Sequence, residues 1–436
     1  MIDRRTLIAG SAAAAALGLG GWYATKHQPR AFPRGFLWGA ATAGHQVEGR
    51  NANADCYLLE TVKPTVFPYP SGMAANSFEL WPTDLDLARG LGLNAYRFSL
   101  EWARIEPAEG EFSVPMLDHY KAMIAGCRAR GLVPVVTFNH FTTPRWFAAR
   151  GGWLDDGAAE LFARFCGKAA THLGDAIGYA LTLNEPNLAG RLQTLVPPQF
   201  LAGDKAMAEA AARASGSAAF VAGNALHIAD PARMQANLLG GHKLARAAIK
   251  AACPDLPVGV ALALFADEAI GANSLRDAMA REWYGAWLDL ARHDDFVGVQ
   301  NYERWRWNDK GRVKAPFGSS FNTMGSEIYP PSLAHAVSYA HAVTGRPVLV
   351  TEHGLCTDRD SLRASFIPAA LAELGQAIGG GVPVLGYMHW SLIDTFEWIF
   401  GYRNVYGLHA LDRRTFARTP RPSAAVYAAI VRANAA

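Results

Sequence analysis

Apolar residues fall along this chain in two alternating rhythms. Short, nearly continuous runs rich in β-branched and aromatic side chains occupy residues 36–42, 95–100, 133–139, 179–184, 258–264, 296–301, 348–352 and 384–390. Between them apolar positions recur every three to four residues, the period of one helix face, over residues 82–91, 115–130, 158–173, 233–252, 275–292, 333–344 and 361–379. Strands alternating with helices in this way predict an α/β fold, a parallel sheet of eight strands closed into a single (β/α)8, or TIM, barrel. Such a barrel gathers the C-terminal ends of its strands on one face, where its active site lies. Arg97, His140, Asn184, Glu185, Tyr302, Glu352 and Trp390 stand at or near those ends and are expected to share one mouth. The stretch 188–230, rich in Ala, Gly and Pro, interrupts the rhythm after the fourth strand and reads as an irregular loop bordering that mouth.

Two strand ends carry most of the chemistry. Thr182-Leu183-Asn184-Glu185-Pro186 and Val350-Thr351-Glu352-His353-Gly354 each finish a buried run with a glutamate. A carboxylate in such a place costs desolvation energy unless it is paired or hydrogen-bonded, so the two together suggest acid–base or nucleophilic work. Each alone has a plainer reading: Glu185 as a cap near a helix start, Glu352 as half of a structural ion pair. On the fourth and seventh strands of a barrel they face each other across the mouth. A separation of roughly 5 Å there is that of a retaining glycosidase, whereas an inverting enzyme needs more room for water.

Composition narrows the classes. Half of the 436 residues are hydrophobic and only 18% are charged, enough apolar mass for one large barrel with insertions. A net charge of +3 offers no basic surface for nucleic acid. The 12 tryptophans suit either flat platforms for sugar rings or core packing. Cys56, Cys127, Cys166, Cys253 and Cys356 are odd in number and widely spaced, with no C-x-x-C pair, so neither a zinc site nor a disulfide framework is indicated. His45, His227, His242 and His389 have no ligand-like spacing. No metal and no cofactor is expected, and Asp55, Cys56 and Tyr57 receive no role.

The first 30 residues read differently from the rest. Arg4-Arg5-Thr6-Leu7-Ile8 opens an Ala/Gly-rich apolar stretch over residues 7–23, followed by Lys26-His27-Gln28-Pro29. A twin arginine before a mildly hydrophobic segment is the pattern of a Tat export signal, which gives a periplasmic destination for a catalytic domain spanning 31–436. No small-x-small cleavage site closes the run, and its length is marginal for a spanning helix. The alternative is a retained inner-membrane anchor, so any membrane association is assigned to residues 7–23. Oligomeric state is left open.

From residue 32 to the C-terminus the chain resembles glycoside hydrolase family 1, the β-glucosidase/β-galactosidase family. The resemblance rests on Phe32-Pro33-Arg34-Gly35-Phe36-Leu37-Trp38-Gly39-Ala40-Ala41-Thr42 with His45-Gln46-Val47-Glu48-Gly49, and on Asn94-Ala95-Tyr96-Arg97-Phe98-Ser99 with Glu101-Trp102-Ala103-Arg104-Ile105. Phe138-Asn139-His140-Phe141 with Pro144-Arg145-Trp146 continues it. Its most specific piece is Trp390-Ser391-Leu392-Ile393-Asp394-Thr395-Phe396-Glu397-Trp398 with Gly401-Tyr402.

The resemblance implies a retaining exo-β-glycosidase, most simply a β-glucosidase, acting on a small-molecule β-glycoside or oligosaccharide. Glu352 becomes the nucleophile and Glu185 the acid, then the base. Arg97 and Tyr302 hold Glu352 ionised and oriented, and Asn184 meets the sugar 2-hydroxyl. Gln46, His140, Glu397 and Trp398 read the remaining hydroxyls, with Trp390 as an apolar platform. The same residues would serve a transglycosidase; a recognition-only barrel usually lacks one of the two glutamates. Two departures stand out: His353 where the family usually has Asn, and Val299-Gln300-Asn301-Tyr302 where Asn-Tyr-Tyr is common, leaving Gln300 in the asparagine place. Phospho-sugar members carry Ser and Lys where Glu397 and Asn404 stand, which disfavours a 6-phosphoglycoside.

Overall fold

The computed structural model describes residues 32–434; the twin arginine and the apolar segment 7–23 lie outside them. Eight parallel strands close into a barrel: β1 Leu37–Ala41, β2 Ala95–Ser99, β3 Val133–Asn139, β4 Tyr179–Asn184, β5 Val258–Ala263, β6 Val297–Gln300, β7 Val348–His353 and β8 Val384–Trp390. Each strand pairs with its sequence neighbours, and β1 closes the ring on β8 with Leu37 beside Gly386 and Ala41 beside Trp390. Outside lie α1 Ser77–Gly90, α2 Val114–Ala129, α3 Ala158–Leu173, α4 Pro231–Ala252, α5, α6 Ser332–Thr344, α7 Asp360–Gly379 and α8 Pro422–Ala433. α5 runs from Arg276–Ala280 through a π-helical turn, Arg281–Gly285, into Ala286–Ala291.

The strands bury both faces, and their side chains alternate between two cores. Tyr96, Ala180, Val348, Val350 and Tyr387 point outward to a large apolar layer shared with the helices, including Trp38, Phe138, Trp287 and Ile367. Leu37, Ala95, Val135, Leu181, Ala261, Leu349 and Met388 point inward and plug the barrel. The plug makes the lumen solid below the mouth, so chemistry is confined to the strand ends.

Three expectations need correction. α1 begins at Ser77, not Pro82: Ser77 Oγ donates to Asp84 Oδ2 at 2.6 Å and Arg418 holds Asp84. That tie carries the helix through Pro82 at the cost of one backbone bond. The helix assigned over 275–292 is interrupted by its π turn. Most consequentially, the stretch 188–230 is not all irregular but contains a helix, Pro198–Ser215. Proline sits at its first position, alanines fill its interior and Gly216 ends it in the left-handed conformation, each favourable to a helix. A further element, the small sheet formed by Ala266–Ala269, Arg304–Asn308 and Gly311–Val313, leaves no clear pattern in the sequence because its strands are short. No helix among the described residues is long and apolar enough to cross a membrane.

Candidate active site

The two glutamates reach the mouth because their strands break register just before them. Along β7, Leu349 faces the barrel plug and Val348 and Val350 face the helices, so strict alternation would turn Glu352 outward. A register shift between Val350 and Glu352 pairs Glu352 with Gln300 and re-aims it inward. His353 then turns outward, its ring stacking on Phe366 of α7 and Nδ1 meeting the Tyr387 hydroxyl at 3.0 Å. β4 has the same device: a shift between Leu181 and Asn184. Glu185 follows at φ +45°, in the left-handed region that costs a non-glycine residue about 1–2 kcal/mol. Phe141 and Trp398, also at positive φ, line the same cavity, so backbone strain gathers here. Gly354 lets the ends of β7 and β8 meet, since a Cβ there would lie 2.0 Å from the Trp390 carbonyl oxygen.

Glu352 is gripped from several sides. Arg97 Nη1 donates to Oε1 at 2.5 Å and the Tyr302 hydroxyl donates to Oε2 at 2.7 Å. Arg97 itself is fixed by the Thr137 hydroxyl, the Thr351 carbonyl and Asn184 Oδ1, at 3.1, 3.1 and 2.6 Å. Gln300 donates to Asn184 Oδ1 at 2.7 Å and also bonds Glu352. The Asn184 amide is thereby oriented: its oxygen takes two donors, and its nitrogen faces His140 Nε2 at 3.3 Å and the cavity.

Burial raises the proton affinity of both carboxylates, but unequally. On Glu352 the Arg97 cation and the hydrogen bonds from Tyr302, Arg97 and Gln300 pull back against desolvation, leaving it moderately raised. Among the described residues Glu185 has no comparable donors. Desolvation first, then the charge of Glu352, and to a smaller degree that of Glu397, push it well above the carboxylate range, against only the field of Arg97. A proton shared by this pair therefore resides on Glu185 and the charge on Glu352.

The other predicted residues converge on the same cavity of about 320 Å³: Gln46, His140, Asn184, Glu185, Tyr302, Glu352, Trp390, Glu397 and Trp398 all line it, while Arg97 lies fully buried behind Glu352. Gln46 Nε2 donates to the Phe396 carbonyl and to Glu397 Oε1, at 2.9 and 3.4 Å, leaving Gln46 Oε1 without a partner among the described residues. Burial holds His140 neutral and Asn184 faces its Nε2, so Nδ1 carries the proton; it too lacks a partner among the described residues. Buried polar atoms without partners at a cavity wall are atoms waiting for a ligand. Glu397 is raised to about 7, first by desolvation and against hydrogen bonds from Thr395 and Trp390. Trp390 is nearly parallel to the His140 ring, with centroids 5.9 Å apart.

Gln300 and Thr137 were missed as functional supports. In the sequence Gln300 shows only as a departure from the family's motif, and a threonine inside a strand run carries no signal. Linear spacing also hides a grouping of His45, Cys56 and Glu60, whose potential ligand atoms lie within 4.8 Å of one another. They satisfy each other: Glu60 Oε1 is 2.9 Å from His45 Nε2 and accepts from the Cys56 thiol, and Oε2 accepts from Ser71 N and Oγ at 2.7 Å. His45 stacks beneath Trp398, 5.7 Å between centroids, so the group serves as a floor for that wall. Asp55 is likewise structural, accepting from Cys56 N, Thr143 N and Oγ1, and Gly223 N.

Known proteins share this arrangement over most of the chain. The family described as glycosyl hydrolase family 1 matches residues 28–244 and 299–436. A beta-glucosidase of Agrobacterium sp. is 28% identical over 471 aligned positions, covering 92% of this chain and 95% of that protein. The crystal structure of a beta-glycosidase superposes with a TM-score of 0.86 at 42% identity, covering 93% of this chain and 98% of that one. The apo structure of a beta-glucosidase gives 0.87 at 36% identity, covering 91% and 98%. With a family match over most of the barrel and likenesses that run nearly end to end, the chain belongs to glycosyl hydrolase family 1 and is a retaining β-glycosidase.

Proposed function

We propose that this β-glycosidase removes terminal β-D-glucosyl residues, with Glu352 as nucleophile and Glu185 as acid and then base. The observation that carries this reading is the inequality of the two carboxylates. Glu352, charged and held by Arg97 and Tyr302, attacks the anomeric carbon and forms a glycosyl ester. Glu185, holding the proton, delivers it to the departing oxygen. Esterification removes the charge of Glu352, and with it part of the push on Glu185, which then takes a proton from water as the ester is cleaved. Asn184 presents an N–H to the 2-hydroxyl. Gln46, Glu397, Trp398 and His140 read the other hydroxyls, where a sugar lacking one would leave a buried group unpaired.

We further propose that the chain is exported by the Tat route to the periplasm, on the basis of Arg4-Arg5 and the apolar segment that follows. Turnover of 4-nitrophenyl β-glycosides of several sugars, followed by NMR of the first-formed anomer, tests the main reading. The β-anomer is expected, released fastest from the glucoside. Initial α-anomer would overturn the nucleophile, and faster turnover of another sugar would overturn the glucoside preference. Export tests separately: residues 1–30 fused to a reporter should reach the periplasm, and Arg4→Lys with Arg5→Lys should stop them. A reporter retained in the cytoplasm would sink the signal reading alone.

A further inference from the structure

The cavity has two chemically different walls, and only one of them is accounted for by a sugar. The elements after β1 and β8 supply Gln46, Glu397 and Trp398, and the unpartnered polar atoms of the lining, Gln46 Oε1 and His140 Nδ1, belong to residues already assigned to the sugar. The chain that follows Glu185 supplies a different surface. Leu188, Ala189 and Leu192 come directly after the acid, then Met207 from the helix Pro198–Ser215 and Leu226 from the loop beyond. Trp153, Leu183 and Leu238 back them, forming an apolar lobe on the side of the acid. Its polar neighbours are partly engaged by the protein: Asp204 Oδ2 accepts the backbone N–H groups of Leu226 and His227, and Asn224 Nδ2 points at the Cys56 thiol. The rim continues the theme, since Met324 and Phe400 line the cavity while remaining 44% exposed, and Leu195 stands beside Leu192 at 43%.

We infer that the leaving group is an alcohol with an extended hydrocarbon body rather than a second sugar. The acid must face the departing oxygen, so whatever that oxygen carries is directed over Leu188, Leu192 and Met207. A hydrocarbon there is driven by area removed from water. A second sugar would bury most of its hydroxyls against apolar side chains, with Asp204 and Asn224 the polar side chains of that wall, and would lose bonds to water. The exposed apolar rim extends the same surface for a tail longer than the lobe. This inference rests on the glucosidase reading and deepens it.

The test is a ladder of n-alkyl β-D-glucosides, from ethyl to decyl below micelle-forming concentrations, with cellobiose and 4-nitrophenyl β-D-glucoside alongside. Straight-chain alcohols differ little in acidity, so the chemistry is constant and only burial changes. kcat/KM should rise about two- to fourfold per methylene until the lobe is filled, and octyl glucoside should exceed cellobiose at least tenfold. Leu192→Gln, at a half-buried position, should flatten the ladder. A flat wild-type ladder, or cellobiose equal to or above octyl glucoside, overturns the inference. Should no glucoside turn over, nitrophenyl included, the glucosidase reading itself fails, which is a distinguishable result.

Discussion

Glu185 and Glu352 are the same residue at the ends of two strands of one barrel, both removed from water, yet the fold treats them oppositely. Around Glu352 stand a guanidinium, a phenol and an amide, all donors. Around Glu185 stand apolar side chains and the charges of two other carboxylates. Burial alone would raise both and distinguish neither. What separates an acid from a nucleophile is therefore the placement of donors, and that placement depends on Arg97, itself anchored by Thr137, Asn184 and the Thr351 carbonyl.

Deleting the charged member breaks the comparison most severely. Glu352→Gly should lower kcat/KM on aryl glucosides by about 10⁴-fold or more, since no other group can form the intermediate. Azide added with an activated substrate should restore turnover and yield an α-glucosyl azide, detectable by NMR. Retention of activity within tenfold would show that Glu352 is not the nucleophile. Deleting the protonated member should cost less and in a substrate-dependent way. Glu185→Gln is expected to lose about 10²–10⁴-fold on alkyl glucosides, which need a proton at the departing oxygen. It should lose far less on dinitrophenyl glucosides, whose phenolate leaves unaided. Equal losses on both substrates would remove the acid assignment.

Weakening the grip on Glu352, without removing either carboxylate, sharpens the comparison further. Activity needs Glu352 ionised and Glu185 protonated, so it lies above the pKa of the first and below that of the second, and kcat/KM should trace a bell. Tyr302→Phe takes away one hydrogen bond to the charged form, worth about 10- to 100-fold in rate. It also lets burial push Glu352 higher, so the acid limb should move toward neutral pH and the bell narrow. An unchanged acid limb would mean that Tyr302 positions substrate rather than holding the nucleophile.

How much of this was legible in the sequence follows from what each strand had to do. The eight runs announced themselves because parallel strands buried on both faces need apolar, β-branched residues at every position. The same continuity hides direction: nothing in Val348-Leu349-Val350-Thr351-Glu352 reveals that the register slips and turns Glu352 inward. The left-handed backbone at Glu185 is equally silent, because Pro186 marks a turn without stating its sense. Residues that touch the cavity could be named from the family's motifs. Gln300 and Thr137, which hold other residues rather than meeting a ligand, could not, because their worth lies in contacts across 116 and 40 positions of chain. The helix Pro198–Ser215 was readable in principle from its proline start and alanine interior, but the glycines and prolines around it dominated the local signal.

His353 gives the gentlest test, because it is the immediate neighbour of Glu352 and yet belongs to the other core. Its ring lies between Phe366 and Tyr387, on the helix side of β7, and does not line the cavity. His353→Asn should therefore leave kcat within about threefold while removing a stacked ring and a hydrogen bond, a stability loss of about 1–3 kcal/mol. Burial pushes the imidazole down to about 3 from its ordinary 6.5. The unfolded chain consequently takes up a proton that the folded one refuses, and this group destabilises the fold progressively as pH falls from about 6.5 toward 3. Urea unfolding of both proteins at several pH values in that interval reads the two effects apart: the Asn variant should start less stable near neutrality and lose stability less steeply on acidification. A tenfold fall in kcat with an unchanged unfolding midpoint would instead place His353 in the service of Glu352, and would erase the distinction between the two faces of β7.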